Sequence, residues 1–190
     1  MRKFLTSIAC VLAISASAQI AEVGKPEVVS SRVRTAAMKL ASAQGSVSVS
    51  TNGSNLIINR NGVEKVVSPV DSYAGYIWAS LSPDNSKIVF LAAGYGLVVT
   101  DLDGNVIATP GYYSAPSWFG NDHLVVENTT DDGHQFHSAQ ILLISLDGKQ
   151  VQSLTEPESM TLNPYGDADN NTVWFKSIDG INYRQSVILK

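Results

Sequence analysis

The hydrophobic positions of this chain fall in short runs that alternate with polar turns. Residues 87–90, 97–100 and 141–144 are rich in β-branched or aliphatic side chains, and Gly, Asn or Asp stands near their ends. Such runs predict short strands, because these side chains pack well on a pleated sheet and Gly accepts the positive φ of tight turns. Beyond residue 18 no segment shows a sustained 3.6-residue apolar period, and only residues 33–43 are expected to form one or two helical turns.

A strand–turn–strand pattern is repeated along the chain. The four copies are residues 47–58, 79–90, 116–126 and 164–175. Each copy has a short strand, a tight turn of Asp, Asn or Gly, and a strand that ends in apolar residues. Repeats at such spacing are typical of stacked supersecondary units.

The second and third copies continue into further strands. Each is followed by two more apolar runs joined by an Asp-Gly turn, at residues 103–104 and 147–148. Asp-Gly between apolar runs predicts a hairpin, and each unit therefore becomes a four-stranded antiparallel sheet. The sequence thus predicts an all-β fold: a small β-propeller-like array of about four antiparallel blades over residues 45–190.

The second unit resembles the repeat of TolB-type (WD-like) β-propeller proteins. Residues 82–85, the strand at 87–90 and the later Asp-Gly turn match the Trp-Ser-Pro-Asp-Gly turn, Ile-x-Phe strand and Asp-Gly hairpin of that repeat. Trp118 stands where the family has its tryptophan, and the same column of the other units holds Val49, Leu81 and Gly166. The stretch 76–134 is also similar to small exported propeller proteins of Bacteroidetes-type bacteria. The resemblance implies a propeller that binds partner proteins, although the family closes a ring of more units than are visible here.

The last unit ends after its third strand, at residues 186–189. An incomplete blade exposes unpaired backbone N–H and C=O groups, which invites pairing with another strand. Residues 26–33 have the strand propensity to complete it from the N-terminal side, because they include Val28, Val29 and Val33. The alternatives are an open arc of blades that forms a homodimer, and a shortened form of a longer propeller.

The first residues are typical of a secretory signal peptide. Arg2 and Lys3 are positive, residues 4–14 are apolar, and residues 16–18 are small. We therefore expect three regions: a signal peptide at 1–18, an N-terminal segment at 19–44 and the repeats at 45–190. The apolar run is shorter than the roughly 18 residues of a membrane span, so we predict an exported, periplasmic protein without one.

Charge and cysteine content exclude several classes of function. The formal net charge is −4, and removal of the signal peptide makes the chain more acidic. Nucleic-acid binding relies on clustered Lys and Arg, so that class is excluded. The one cysteine, Cys10, lies in the signal segment, so the mature chain has no disulfide or thiol nucleophile. A lipid anchor on Cys10 is the alternative, which Ser7 at position −3 disfavours.

The polar segment 131–137 of the third unit carries the most reactive side chains. Its candidate binding residues are Asp131, Asp132, His134 and His137. The position predicts an exposed hairpin in which Asp and Gly serve turn geometry, and a binding loop is the functional alternative. Zinc would need a third ligand such as His123, and the spacing of a calcium loop is not met. We therefore predict neither a metal nor a cofactor.

A second candidate surface is aromatic. Five aromatic residues stand just before or within the first strands of two adjacent units: Tyr73, Tyr76, Trp78, Tyr112 and Tyr113. Tyr76, Trp78 and Tyr112 are the predicted binding residues among them, with core packing as the alternative. Four other aromatic residues are expected to pack between blades, namely Phe90, Trp118, Trp174 and Phe175. Four aspartates recur in turns and are expected to be structural: Asp84, Asp103, Asp147 and Asp169.

No known catalytic motif is found in the sequence. It contains no Gly-x-Ser-x-Gly elbow, no His-Glu-x-x-His, no phosphate loop and no dinucleotide fingerprint. The sequence therefore favours a non-catalytic recognition or scaffold module of the cell envelope that binds a protein, a peptide or a glycan. The alternative is a hydrolase or lyase with its site in the propeller mouth, where His134 and His137 would act as the acid–base or ligand pair.

Overall fold

The computed structural model describes residues 19–35 and 47–190, which form sixteen strands in four antiparallel sheets. Two strands come first, β1 (Ala21–Val23) and β2 (Glu27–Val29). Sheet I contains β3 (Val47–Asn52), β4 (Asn55–Arg60) and β5 (Val63–Val67). Sheet II contains β6 (Tyr76–Leu81), β7 (Lys87–Ala92), β8 (Gly96–Asp101) and β9 (Val106–Gly111). Sheet III contains β10 (Ser114–Phe119), β11 (His123–Asp131), β12 (Phe136–Ser145) and β13 (Val151–Ser153). Sheet IV contains β14 (Thr161–Asp167), β15 (Thr172–Ser177) and β16 (Asn182–Leu189), together with β1 and β2.

The predicted all-β class is confirmed by these sheets, each built around three or four consecutive antiparallel strands. Helical structure is limited to residues 31–35 and a 3-10 turn at Pro157–Ser159 within the described ranges. The predicted helical turns over 33–43 overlap this helical segment at 33–35, although the segment begins at residue 31, and 36–43 lie outside the described residues. The predicted signal segment 1–18 lies outside them as well.

The N-terminal segment supplies the fourth strand position of sheet IV. β2 pairs with the start of β16 and β1 pairs with its end, so that Ala21 lies opposite Leu189. Gln152 of sheet III holds this arrangement, because its side-chain amide donates to the Ala21 carbonyl at 2.9 Å and accepts from the Ala21 N–H at 2.8 Å. β16 is therefore paired along both sides, and the edge through which the alternative homodimer would form is occupied by the N-terminal segment.

Sheet I runs in the opposite direction to the one expected from the repeat alignment, which equated β3 with β6. The Tyr76 N–H, at the start of β6, donates to the carbonyl of Gly53, just after the end of β3, at 2.7 Å. Val47, at the start of β3, lies instead near the end of β6. β3 is thus antiparallel to β6, and the Asn-Gly turn at 61–62 corresponds to the third-to-fourth strand turns of sheets II and III. The described part of sheet I begins at the second strand position.

Buried apolar side chains form three clusters, each between neighbouring sheets. The cluster of sheets I and II includes Leu56, Ile58, Ile88 and Phe90. The cluster of sheets II and III includes Val89, Val99, Trp118 and Leu124, and that of sheets III and IV includes Phe119, Ile141, Phe175 and Val187. These positions confirm the packing between blades predicted for Phe90, Trp118 and Phe175. Trp174 is also buried, but it lies on the opposite face of β15 from the residues that pack toward sheet III. Among the described residues no cluster joins sheet IV to sheet I.

Two of the four aspartates predicted to shape turns have that role. The carboxylate of Asp84 accepts a hydrogen bond from Ser82 Oγ at 2.6 Å, and that of Asp147 accepts one from Ser145 Oγ at 2.6 Å. The hydrogen bond from Ser145 is the main reason that the pKa of Asp147 is lowered to about 2. Each carboxylate also accepts a backbone N–H of its turn, from Ser86 at 3.0 Å and from Lys149 at 3.1 Å, and so satisfies donors that the tight turn leaves open.

The other two turns use a different aspartate from the one predicted. In sheet II the backbone N–H groups of the turn donate to Asp101, while Asp103 points outward to Lys65 Nζ at 2.6 Å. In sheet IV the turn is closed by Asp167 rather than Asp169. Recurrence in the sequence was therefore a correct guide to the turns but not to the residue in each turn that binds the backbone.

Gly166 permits the close approach of β14 to β10. A Cβ atom at this position would lie 2.2 Å from the Trp118 carbonyl oxygen, which is backbone and cannot rotate away. We expect Gly166→Ala to lower the free energy of unfolding by about 1–3 kcal/mol, because the two strands must separate. Urea denaturation would measure this loss. Gly24→Ala is the control. Neither glycine has a positive φ, and a Cβ at position 24 would lie 3.3 Å from the Ser186 Cβ, with no backbone atom of Ser186 closer than 3.7 Å. An equal loss in both variants would contradict the prediction.

Candidate functional site

The turns between strands lie at two opposite ends of the array. The turns after β6, β10 and β14 gather at one end, which we name the pocket end. The turns after β7 and β11 lie at the other end, because each antiparallel strand carries the chain back across its sheet. We name this second end the hairpin end, after the 131–137 hairpin that it carries.

A pocket of about 480 Å³ lies at the pocket end, where the first strands of sheets II, III and IV converge with the start of β3. This volume is within the range of small-ligand sites in proteins, about 300–1,000 Å³. Its polar lining includes Ser80, Asn85, Ser117, Asn121, Asp167 and Asp169, and its aromatic lining is Trp78, Trp118 and Tyr165. The pocket therefore combines hydroxyl, amide, carboxylate and aromatic groups.

The ionised side chains of the pocket lining are carboxylates. Burial and the negative charges of Asp167 and Asp169 raise the pKa of Tyr165, which places the phenol within their electrostatic field. Asp167 receives the side-chain amide of Asn170 on its two carboxylate oxygens at 3.0 and 2.9 Å, and Asp169 is exposed. The pocket lining thus carries negative charge that a neutral amide does not cancel.

The two indoles of the pocket belong to neighbouring sheets. Trp118 is only 7% exposed, and its Nε1–H donates to the Ser80 carbonyl at 3.4 Å, which fixes the ring between sheets II and III. Trp78, on β6, is half-buried and packs against the same cluster. Trp78, one of the predicted aromatic binding residues, therefore lies in the pocket rather than on an open surface.

The 131–137 hairpin is exposed along its whole length. The Asp131 carboxylate accepts the Gly133 N–H at 2.9 Å, and the Asp132 carboxylate accepts the N–H groups of His134 and Gln135 at 2.9 Å. These backbone hydrogen bonds, led by that from Gln135, lower the pKa of Asp132. Both carboxylates thus shape the turn while their charge remains at the surface.

The histidines of the hairpin have no third metal ligand beside them. His137 Nε2 lies 3.4 Å from Asp132 Oδ2, and the His134 side chain is exposed. His123 stands at the opposite end of β11, roughly 25 Å away at about 3.3 Å per residue. Burial lowers the pKa of His123, which is half-buried. In residues 19–35 and 47–190 no group of three or more His, Cys, Asp or Glu side chains is placed to hold a metal ion.

The predicted aromatic surface is divided between three environments. Tyr76 is buried: its ring centroid lies 4.5 Å from that of Phe90, and its hydroxyl donates to the Val70 carbonyl at 2.6 Å. Tyr76 is therefore a core residue, in keeping with the core-packing alternative. Trp78 lies in the pocket, and Tyr112 is exposed at the hairpin end.

Three exposed tyrosines surround the turn between β7 and β8. Tyr73 is 91% exposed, Tyr95 50% and Tyr112 67%, and the rings of Tyr73 and Tyr112 lie over Gly94 and Gly96 of that turn. We name these three residues the tyrosine patch. It shares the hairpin end with the 131–137 hairpin, so two separately predicted candidates, Tyr112 and the hairpin, lie at the same end of the molecule.

Sequence reasoning did not find the pocket. Tyr165, Asp167 and Asn121 lie at or just after the ends of first strands, in the repeated turns that were interpreted as structural. The signal was present: equivalent turns of consecutive blades must meet at one end of an array. The polar residues of these turns therefore had to lie close together at that end.

Comparison with solved structures shows that the chain has a TolB-like β-propeller fold. TolB from Acinetobacter baumannii matches 86% of this chain and 48% of its own with a TM-score of 0.54 at 20% identity. A prolyl endopeptidase structure matches 90% of this chain and 28% of its own, with a TM-score of 0.57 at 15% identity. An oligogalacturonate lyase in complex with manganese matches 68% and 43%, with a TM-score of 0.52 at 16% identity. At these identities the likeness concerns the fold alone.

The chain spans half or less of the length of each of these solved chains. No protein-family model matches it, and no curated protein matches its sequence. For the membrane question, the helices within the described ranges are all too short or too polar to cross a bilayer.

Proposed function

We propose that the protein is an exported, non-catalytic recognition module of the cell envelope, and that it binds a protein or peptide through its hairpin end. The tyrosine patch carries this proposal. Tyrosine is enriched at protein interfaces, because it buries a large area with few rotatable bonds and keeps a hydroxyl for hydrogen bonding. Three such side chains exposed around one turn are more than that turn needs for its own packing.

The 131–137 hairpin lies at the same end of the array and adds polar groups to it. Its Asp131 and Asp132 carboxylates are held by backbone N–H groups, and the His134 and His137 rings stand beside them in solvent. Recognition surfaces commonly combine aromatic anchors with a polar rim, and loops on a rigid scaffold commonly carry binding residues. Phe136, which is partly exposed next to His137, adds an apolar contact.

The position of the histidines favours recognition over the hydrolase or lyase alternative. That alternative requires His134 and His137 in the propeller mouth, but both lie at the hairpin end and the pocket lies at the other. A protein partner is in keeping with the TolB-like fold, and the signal-peptide pattern of residues 1–18 supports export to the periplasm. A glycan ligand is the other outcome that the experiments below distinguish.

The double variant His134→Ala/His137→Ala is expected to fold normally and to bind its partner less tightly. Exposed substitutions shift stability by no more than about 0.5 kcal/mol, so the melting temperature should stay nearly unchanged. Loss of the two rings should weaken the complex about tenfold, the equivalent of about 1.4 kcal/mol. Lys149→Ala, an exposed change at the pocket end, is the control. Unfolding of the double variant would show that the histidines are structural, and unchanged binding would exclude the hairpin from the interface.

The partner can be found by photo-crosslinking from the tyrosine patch. A photoreactive phenylalanine at position 112, expressed in the native envelope, should give one dominant protein adduct that mass spectrometry identifies. The same group at position 63, an exposed valine on the outer strand of sheet I, is the control. Purified partner then gives the affinity by calorimetry. Equal adducts from both positions, or capture of glycan alone, would contradict the proposed protein interface.

A further inference from the structure

We propose that the pocket, which lies at the end opposite the 131–137 hairpin, is a second, separate binding site. It accepts an organic cation such as the ammonium or guanidinium of a basic peptide side chain. This proposal rests on the shape, the charge and the aromatic lining of the pocket. It goes beyond the recognition proposed for the hairpin end, because no residue of the tyrosine patch or the 131–137 hairpin lines it.

The pocket is held open by contacts between sheets. Ser117 Oγ accepts the Gly166 N–H at 3.0 Å, which ties sheet III to sheet IV, and Asn121 Oδ1 accepts the Asp84 N–H at 3.1 Å, which ties sheet III to sheet II. These contacts use polar groups of the lining to fix neighbouring backbones. The cavity therefore exists before a ligand arrives, which reduces the entropy lost on binding.

The charge of the pocket selects the sign of the ligand. Asp167 and Asp169 line it, and no Lys, Arg or His of the described residues does. Lys87 lies close by, but its Nζ is bound to the Asn121 carbonyl and to Asp122 Oδ1, both at 3.2 Å, outside the lining. An anion would meet uncompensated carboxylates, whereas a cation would pair with them.

The aromatic lining selects an organic cation over a small metal ion. The half-buried Trp78 and Tyr165 share the pocket with the carboxylates, and the buried Trp118 also borders it. A cation within about 6 Å of an aromatic face is attracted by the ring quadrupole, and indole is the strongest partner. A volume of about 480 Å³ also exceeds what a single ion needs and suits an extended side chain with its neighbouring backbone.

Neutral sugars are the main competing ligand class, because aromatic rings with amides and carboxylates also bind glycans. The dependence of affinity on salt concentration distinguishes a cation from a neutral sugar. Pairing between a cation and carboxylates weakens as ionic strength rises, while binding of a neutral sugar does not. The charge of the lining, which is negative and unbalanced, favours the cation.

The test measures binding of defined probes to the full chain by calorimetry and tryptophan fluorescence. The probes are tetralysine, tetraarginine, choline, tetraglutamate and maltotetraose. We expect the basic probes to bind, to lose at least about fivefold in affinity between low and physiological salt, and to perturb tryptophan emission. Choline binding as strong as that of tetralysine would indicate a free organic cation as the source, and preference for the peptides would indicate a basic protein segment. Both results support the site.

Variants locate the site. Asp169→Asn should weaken tetralysine about tenfold without loss of stability, since Asp169 is exposed and does not close its turn. Trp78→Leu should reduce both the affinity and the fluorescence response. Asp179→Asn, an exposed change at the hairpin end, removes the same charge and should have no effect.

Equal weakening by Asp169→Asn and Asp179→Asn would assign the binding to overall charge and overturn the proposal. Stronger binding of maltotetraose or tetraglutamate would overturn it as well. Neither result would bear on the function proposed for the hairpin end, because the crosslinking and the His134→Ala/His137→Ala variant test that surface independently.

Discussion

Replacement of Trp118 by alanine is expected to lower the free energy of unfolding by about 3–5 kcal/mol, the usual cost of removing a large aromatic side chain from a core. The indole is 7% exposed and packs with Val89, Val99 and Leu124 between sheets II and III. Its loss would leave a cavity between two sheets and free the Ser80 carbonyl that its Nε1–H contacts. Urea denaturation with far-ultraviolet circular dichroism would measure the change.

Two further variants make this result specific. Tyr112→Ala removes an aromatic side chain that is largely exposed, so it should change stability by no more than about 0.5 kcal/mol. Trp118→Phe keeps most of the packing and should cost less than the alanine variant. If Trp118→Ala cost less than about 1 kcal/mol, sheets II and III would not pack through this residue and the blade assignment would be wrong.

The second large effect is expected at the N-terminal strand, where Ala21→Asp should destabilise the protein by about 3–5 kcal/mol. Ala21 is fully buried in the cluster between sheets III and IV. A carboxylate there has no cation to pair with among the residues of that cluster, and an uncompensated buried charge has a cost of that size. The strand then either remains with a strained, protonated side chain or leaves β16.

Hydrogen exchange distinguishes these outcomes. Departure of β1 should speed exchange of the amides that donate to it, at Ile188 and Lys190, since the Lys190 N–H donates to the Ile20 carbonyl at 3.1 Å and these amides alternate along the strand. The amide of Val187, which donates to the Asn171 carbonyl, should change less, and β8 should not change. Val28→Asp is the matched control, because it places the same carboxylate in the same segment at an exposed position. Equal stability of the two variants would show that β1 does not occupy the edge of β16 in solution.

The strands and most turns follow from local signals, so the sequence predicted them well. Alternation of apolar residues and Asp-Gly or Asn-Gly turns act over a few residues and need no distant partner. The predicted direction of sheet I was wrong for the same reason. A strand–turn–strand segment such as 47–58 has the same local sequence pattern in either half of a blade. The Asn-Gly pair at 61–62 was the local feature that identifies the third-to-fourth strand turn.

The candidate sites depend on what distant segments cover, and they were harder to predict. Tyr76, Trp78 and Tyr112 stand at similar places in the sequence, yet one is in the core, one lines the pocket and one is exposed. Which of these occurs is decided by neighbouring sheets, such as the approach of Phe90 to Tyr76. The hairpin was predicted correctly as exposed, because a polar loop between two long strands has little else to pack against.

Pairing of β1 and β2 with β16 also sets an order for folding. Ala21 meets Leu189, and Glu27 meets Arg184, so the two sides of this ladder are separated by nearly the whole chain. Contacts this far apart slow folding, since a large loop must close before they form. Sheets I to III are built from neighbouring segments and need not wait. A chain that crosses a membrane from its N-terminus would therefore carry β1 and β2 through first and complete sheet IV last, after β16 has followed.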